Sequence, residues 1–229
     1  MTKTGWIIFI TVVVLGLGAL VTWTRIANPP LDVSDVTSTK IIKASEKNGN
    51  IADHVSGKAD STVVLIEYGD YQCPGCGGLY PSLKQLTDEY GDRIAFVFRN
   101  FPLTSMHPNA KAAAGVAEAA GRQGKYWQMH DRLYEGQSEW SSATAKDRNE
   151  IFERYADLVG LDIARFKQDL ASSEVAQKIN FDQALGKRDG VNATPTLFIG
   201  DKKLSDEMVS NIGKGSFDEI KKELDSRLQ

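Results

Sequence analysis

An apolar strand pattern runs into a cysteine pair and from there into a helix, and nothing else in the chain restricts its fold as tightly. Val63, Val64, Leu65 and Ile66 are apolar on both parities, the pattern of a strand covered on both faces of its sheet. They lead to Asp70-Tyr71-Gln72-Cys73-Pro74-Gly75-Cys76-Gly77-Gly78, which holds the only 2 cysteines among 229 residues. Cβ atoms three positions apart come near disulfide distance when the second lies one turn into a helix. Such a pair can cycle between dithiol and disulfide. At the helix entrance Cys73 meets unpaired backbone N–H groups and the positive end of the macrodipole, which favour its thiolate. Cys73 is therefore the nucleophile candidate and Cys76, one turn deeper, the resolving thiol. Pro74 suits a first helical turn, where its missing N–H costs no hydrogen bond.

Two other readings of the pair exist. Structural zinc wants four ligands, but no second cysteine pair is present and His54, His107 and His130 lack ligand spacing. An inert disulfide would close a tiny loop and contribute little to stability. A Cys-x-x-Cys beside a β-α-β pattern favours redox chemistry over both. The net charge of −3, with basic residues dispersed along the chain, argues against nucleic acid as a partner.

From Trp6 to Trp23 no charged residue occurs. At helical rise the stretch spans about 27 Å, close to a bilayer's hydrocarbon thickness, with a tryptophan at each end. It reads as an uncleaved anchor rather than a secretory signal peptide. Apolar signal cores are usually shorter, and Arg25 stands just before the exit at Ala27. Lys3 on one side stands against Arg25, Lys40 and Lys43 on the other, so positive charge does not decide orientation. The tiny head behaves like a signal-anchor that leaves the large domain outside the cytoplasm.

The expected organisation is a tail at 1–5, an anchor at 6–24, an extended tether at 25–50 and a single α/β domain at 51–229. Within the domain, Ser61–Tyr68 and Ile94–Phe98 read as buried strands joined by the active helix in a right-handed parallel β-α-β unit. Residues 105–190 change character to helix after helix, an insert dividing the α/β core. Thr196–Ile199, a turn at Gly200-Asp201, a hairpin partner at Lys202–Leu204 and an amphipathic helix at Phe217–Leu228 complete the pattern. His107 and His130 read as a helix-start and a packed-helix residue. Tyr126, Trp127, Met129 and Leu133 read as core of the insert, being large residues at helical spacing.

Three separated motifs then occur in order: Glu67-Tyr68-x-Asp70-x-x-Cys73-Pro74-x-Cys76-Gly77; Phe98-Arg99-Asn100-Phe101-Pro102 with His107-Pro108-x-Ala110; and Gly190-Val191-x-x-Thr194-Pro195-Thr196. Together they resemble the DsbA-like branch of the thioredoxin superfamily, from about Asp53 to the carboxyl terminus. The resemblance implies a thioredoxin fold with an inserted helical domain, thiol-disulfide oxidoreductase activity, and no bound cofactor beyond the cysteines. It implies that Thr194-Pro195 is the cis-proline loop facing the disulfide, where backbone polar groups meet an incoming peptide. It also matches Glu67 to a buried acid, whose raised pKa would let it relay a proton to or from Cys76; a solvated strand-end carboxylate is the alternative. Tyr71, Gln72, Pro74 and Gly75 flank the thiols and complete the expected substrate contacts.

The member for which the family is named has a histidine between its cysteines, next to the resolving one, where this chain has Gly75; that puts strong oxidising power in doubt. The expected partners are unfolded or reduced secreted proteins and a separate membrane redox partner for reoxidation. A reductase or isomerase of the same fold, and a non-catalytic peptide-binding module, remain as alternatives.

Overall fold

A computed structural model of the chain describes residues 2–27 and 31–229, with only the backbone described at 8, 21 and 24–27. Two compact units divide at Asp32/Val33. The first holds helix α1 (Lys3–Ala27), long and apolar enough to cross a membrane; its Lys3–Leu20 stretch has a mean hydropathy of 1.9.

The second unit is built on a sheet of β1 (Val55–Gly57), β2 (Val64–Gly69), β3 (Ala95–Asn100), β4 (Thr196–Ile199) and β5 (Lys202–Lys203), in the order β1-β3-β2-β4-β5. β2 and β3 are parallel, as a helical crossover requires, and the other pairings are antiparallel. The crossover is α2 (Pro74–Glu89), whose Leu79, Leu83 and Leu86 face the sheet. They pack with Leu65, Phe96, Leu197 and Ile199, and with Met208 and Ile212 of α9 (Asp206–Gly213) and Ile220 and Leu224 of α10 (Asp218–Leu228).

Between β3 and β4 lie six helices: α3 (Ala110–Gly121), α4 (Tyr126–Glu135), α5 (Gln137–Trp140), α6 (Ala145–Leu158), α7 (Ile163–Leu170) and α8 (Ser173–Arg188). α3 is buried almost all round, and its alanines let neighbouring helices approach closely. Thr144, Asp162 and Ser172 cap α6, α7 and α8 by accepting backbone N–H groups three residues on. A second core of Met129, Leu133, Trp140, Phe152, Tyr155 and Phe166 fills the insert. It reaches Phe98, Cys73 and Cys76, so the cysteines sit where the two cores meet.

The expected tether differs from the structure. Residues 28–30 lie outside the described residues, but from Val33 onward the segment is packed on the domain. Arg188 donates to the carbonyls of Val33 and Val36, and Arg99 to those of Ser38 and Lys40. Two arginines, both distant in sequence, thus hold a stretch whose lack of periodicity reads as a linker. α5 and α9 are likewise elements that no sequence pattern announced.

Candidate active site

Cys73 is the N-cap of α2, and Pro74 is the helix's first residue. Both cysteines are free thiols; Cys73 is 9% exposed and Cys76 1% exposed. The Cys73 thiol is pulled down to about 5. A hydrogen bond with the Cys76 thiol is the largest cause, against burial, and the backbone N–H groups of Cys76 and Gly75 add to it. Cys76 moves the other way, well above its ordinary value, because burial opposes its charge and because it gives its hydrogen bond to Cys73. The two sulfurs thus divide into an anion at the helix entrance and a neutral thiol behind it.

The Thr194–Pro195 peptide bond is cis, and the Thr194 carbonyl oxygen lies 3.4 Å from Cys73 Sγ, where it accepts a hydrogen bond when the thiol is protonated. A Cβ placed on Gly75 would lie 3.4 Å from Pro195 Cδ and 3.6 Å from Cys73 Sγ, so the loop faces the cysteine turn at van der Waals range. Pro74 and Gly75 are exposed beside it. An open cleft of about 470 Å³ runs past Gly75, Leu79, Thr194, Pro195, Val209 and Lys214.

Glu67 lies on β2 beneath α2, 3% exposed, opposite Phe98 on one neighbouring strand and Leu197 on the other. Burial pushes its carboxyl up to about 8, and the Cys73 charge adds to the rise. Its own charge in turn raises Cys76.

Tyr71 and Gln72, expected to meet substrate, are instead turned inward. Tyr71 is 1% exposed, its ring packed on Phe98 and Tyr134 and its hydroxyl 3.4 Å from that of Tyr126. The Gln72 side chain donates to the Ser141 carbonyl at 2.7 Å and accepts the Asn109 N–H at 2.6 Å. Both polar ends are spent inside the protein, so the pair fastens the cysteine loop to the insert.

Other fasteners differ in how far the sequence shows them. Asp70 accepts the backbone N–H of Gln72 through one oxygen, and through the other that of Leu103 and a contact with His107 Nδ1 at 2.8 Å. His107 is therefore a clamp on the loop before the cysteines. Gln137 donates to the Tyr71 and Cys73 carbonyls at 2.7 and 3.0 Å, and stands where a Cβ on Gly77 would collide with it. An Asp three residues before a cysteine is a recognisable loop cap, but nothing links Gln137 to a loop more than sixty residues earlier. Among the described residues no cluster of three His, Cys, Asp or Glu side chains is arranged to hold a metal.

Comparison with known proteins agrees with this geometry. Residues 49–222 match the thioredoxin family model described as Thioredoxin. A thioredoxin-like oxidoreductase from Silicibacter pomeroyi superposes with a TM-score of 0.58 at 26% identity, covering 74% of this chain and 92% of that one. Oxidised BdbD from Bacillus subtilis gives a TM-score of 0.63 at 24% identity, covering 82% and 97%. Among curated sequences, the Na(+)/H(+) antiporter NhaA 1 of Mycolicibacterium vanbaalenii is 39% identical over 151 residues. That match covers 64% of this chain but only 23% of the antiporter, and so concerns the shared segment alone. The chain belongs to the thioredoxin family.

Proposed function

We propose that the protein is a membrane-anchored, extracytoplasmic oxidoreductase that introduces disulfides into secreted or surface proteins through Cys73 and Cys76. The observation that carries this reading is the opposed ionisation of the two thiols, with Cys73 held at about 5 beside the Thr194-Pro195 loop. A substrate thiolate attacks Cys73 Sγ of the disulfide, and the Cys73–Cys76 bond breaks. Cys76 leaves as a thiolate and takes a proton from Glu67. A second substrate thiolate then attacks the substrate sulfur of the mixed disulfide. The product leaves oxidised, Cys73 leaves as a thiolate, and two electrons stay on the enzyme as its dithiol.

A low Cys73 pKa favours this direction, since a stable thiolate is a good leaving group. The cleft beside Pro195 offers an extended peptide both backbone polar groups and apolar wall, with Thr194, Pro195, Pro74 and Gly75 as the contacts. A membrane redox partner is the acceptor for the electrons, and α1 keeps the domain at the surface where that partner lies.

Oxidative refolding of a reduced disulfide protein tests the reading. The parent should accelerate it and Cys73→Ser should not. A peptide-binding module would keep its activity in Cys73→Ser, and an equilibrium with glutathione as reducing as thioredoxin's would place the protein among reductases. Protease treatment of intact cells should remove the domain; a domain left intact would overturn the orientation.

A further inference from the structure

Tyr134 is a buried titratable group that the exchange steps above leave unused. It stands near the end of α4, 6% exposed, and its hydroxyl has no hydrogen-bond partner among the described residues. Its ring lies among aromatic neighbours: Tyr80 stacks on it with centroids 5.2 Å apart, and Tyr71 and His130 follow at 5.0 and 5.1 Å. A phenylalanine ring would make these contacts and bury no unpaired donor, so packing alone does not account for the hydroxyl.

The rings that hold Tyr134 place it by the turn of α2 that carries the resolving thiol. Cys76 and Tyr80 are four residues apart on that helix and so share a face, and a long helical side chain leans back over the turn before it. Tyr80 therefore covers the Cys76 turn, with Tyr134 stacked on it. Tyr71, two residues before Cys73, meets the same ring. Cys76, 1% exposed, and Tyr134 belong to one core cluster. Of the charges around the Tyr134 hydroxyl, that of Cys76 bears on it most, ahead of that of Glu67, and burial with these charges holds the phenol well above its ordinary pKa. The hydroxyl is therefore a neutral donor that keeps its proton.

In the dithiol, Cys76 gives its own hydrogen bond to Cys73 and carries no charge for the hydroxyl to meet. That changes when the Cys73–Cys76 bond breaks, because charge then develops on Cys76 Sγ among buried side chains. We propose that Tyr134 is a further catalytic residue: its hydroxyl donates a hydrogen bond to the Cys76 sulfur as that sulfur leaves as a thiolate. This role rests on the proposed exchange at Cys73 and Cys76. The electron pair of the attacking substrate thiolate forms the new bond to Cys73 Sγ, and the pair of the old bond passes to Cys76 Sγ. Tyr134 keeps its proton throughout, while Glu67 supplies the one that ends on sulfur. A donor unpaired in the ground state and paired in the transition state lowers the barrier by the whole of its hydrogen bond, since nothing is given up to form it.

The test follows the breaking of the Cys73–Cys76 bond by stopped flow, on the oxidised full chain in detergent with excess reduced glutathione. Tyr134→Phe should slow this step about tenfold to a hundredfold, somewhat less than the loss of an oxyanion donor, since sulfur accepts more weakly. It should leave the Cys73 titration in place and the urea midpoint at or above the parent's, because it removes an unpaired buried donor. A ring-fluorinated tyrosine at the same position, a stronger donor of nearly the same shape, should match or exceed the parent rate. Tyr134→Phe running at the parent rate overturns the proposal and leaves the exchange reading standing; a parent that does not exchange with glutathione overturns that reading itself. Slowing matched by a lower urea midpoint, with no response to fluorination, would assign the hydroxyl to the fold and overturn its catalytic role. Tyr134→Phe should also slow the Glu67→Gln variant at least as much as the parent, because no proton then arrives to relieve the thiolate. An effect that vanishes there would mean that the hydroxyl acts only on the carboxyl, against the proposal.

Discussion

Glu67 and Arg99 lie on neighbouring strands, point to opposite faces of one sheet, and are both buried, yet only Arg99 has counter-ions beside it. On the face away from α2, Arg99 pairs with Asp53 at 2.8 Å, and Lys178 bridges Asp53 and Asp182 at 3.0 and 2.7 Å. Burial would raise the Asp53 pKa, but the Lys178 and Arg99 charges beside it hold it well below the usual carboxylate range. On the α2 face no charge among the described residues offsets Glu67 in this way; burial and the Cys73 charge both push it up. A buried charge with its counter-ions fixes structure. A buried carboxyl without one keeps its proton to higher pH, as the proposed exchange with Cys76 requires.

The comparison breaks most visibly on the compensated face. Arg99→Met strands Asp53 with one cation fewer and also releases the Ser38 and Lys40 carbonyls, and should cost about 3–5 kcal/mol in urea unfolding while leaving the Cys73 titration in place. A variant as stable as the parent would show that the ionic face does not hold the fold.

Glu67→Gln should do the reverse, slowing the resolving step by about a hundredfold, or roughly 2.7 kcal/mol in barrier, with little loss of stability. Its pH signature has a fixed sign. The folded carboxyl, raised from 4.5 to about 8, contributes its full stability below pH 4.5 and loses it as pH climbs to about 8. Cys73, lowered from 9.0 to about 5, contributes fully above pH 9 and loses its share as pH falls through 5. Only the reduced protein has a Cys73 that titrates, so its stability relative to the oxidised form should rise with pH between about 5 and 9. Glu67→Gln should remove the opposing slope; denaturation of both redox forms across this window would reveal either failure.

Gly75→His should sharpen the contrast between the sulfurs by restoring a donor beside the thiolate. A Cβ there meets Pro195 and Cys73 only at ordinary contact, so the variant should fold. The equilibrium with glutathione should move on the order of tenfold, about 30 mV, toward a stronger oxidant. An unmoved equilibrium would mean that the helix entrance alone sets the potential. The smallest effect is expected from Gln137→Ala, which frees the Tyr71 and Cys73 carbonyls at about 1 kcal/mol and slightly raises the Cys73 pKa, read by thiolate absorbance.

Much of this was legible beforehand, because the signals are local. Cys73 and Cys76 announce themselves by spacing, the strand at Val64–Gly69 by the apolar run of Val63, Val64, Leu65 and Ile66 that opens it, and the insert by its alternation of helix formers and Asp or Ser caps. Tyr71 and Gln72 were misjudged for the opposite reason. Proximity to the thiols in sequence says nothing about which way a side chain turns, and here the Ser141 carbonyl and the Asn109 N–H claim the Gln72 amide. The segment from Val33 to Asn50 looked like a tether because its order comes from Arg99 and Arg188, not from its own pattern.

The residues alone set a two-cysteine turn at a helix entrance, a β-α-β unit around it, a prolyl motif before the fourth strand and an apolar span near the amino terminus, since each depends on neighbours a few positions away. The tertiary structure decided which charges are buried and with whom. Alternation along β2 and β3 places Glu67 among apolar side chains and sends Arg99 to the face that holds Asp53. A pKa is set by everything within a few ångströms, and for these groups most of those neighbours arrive from elsewhere in the chain.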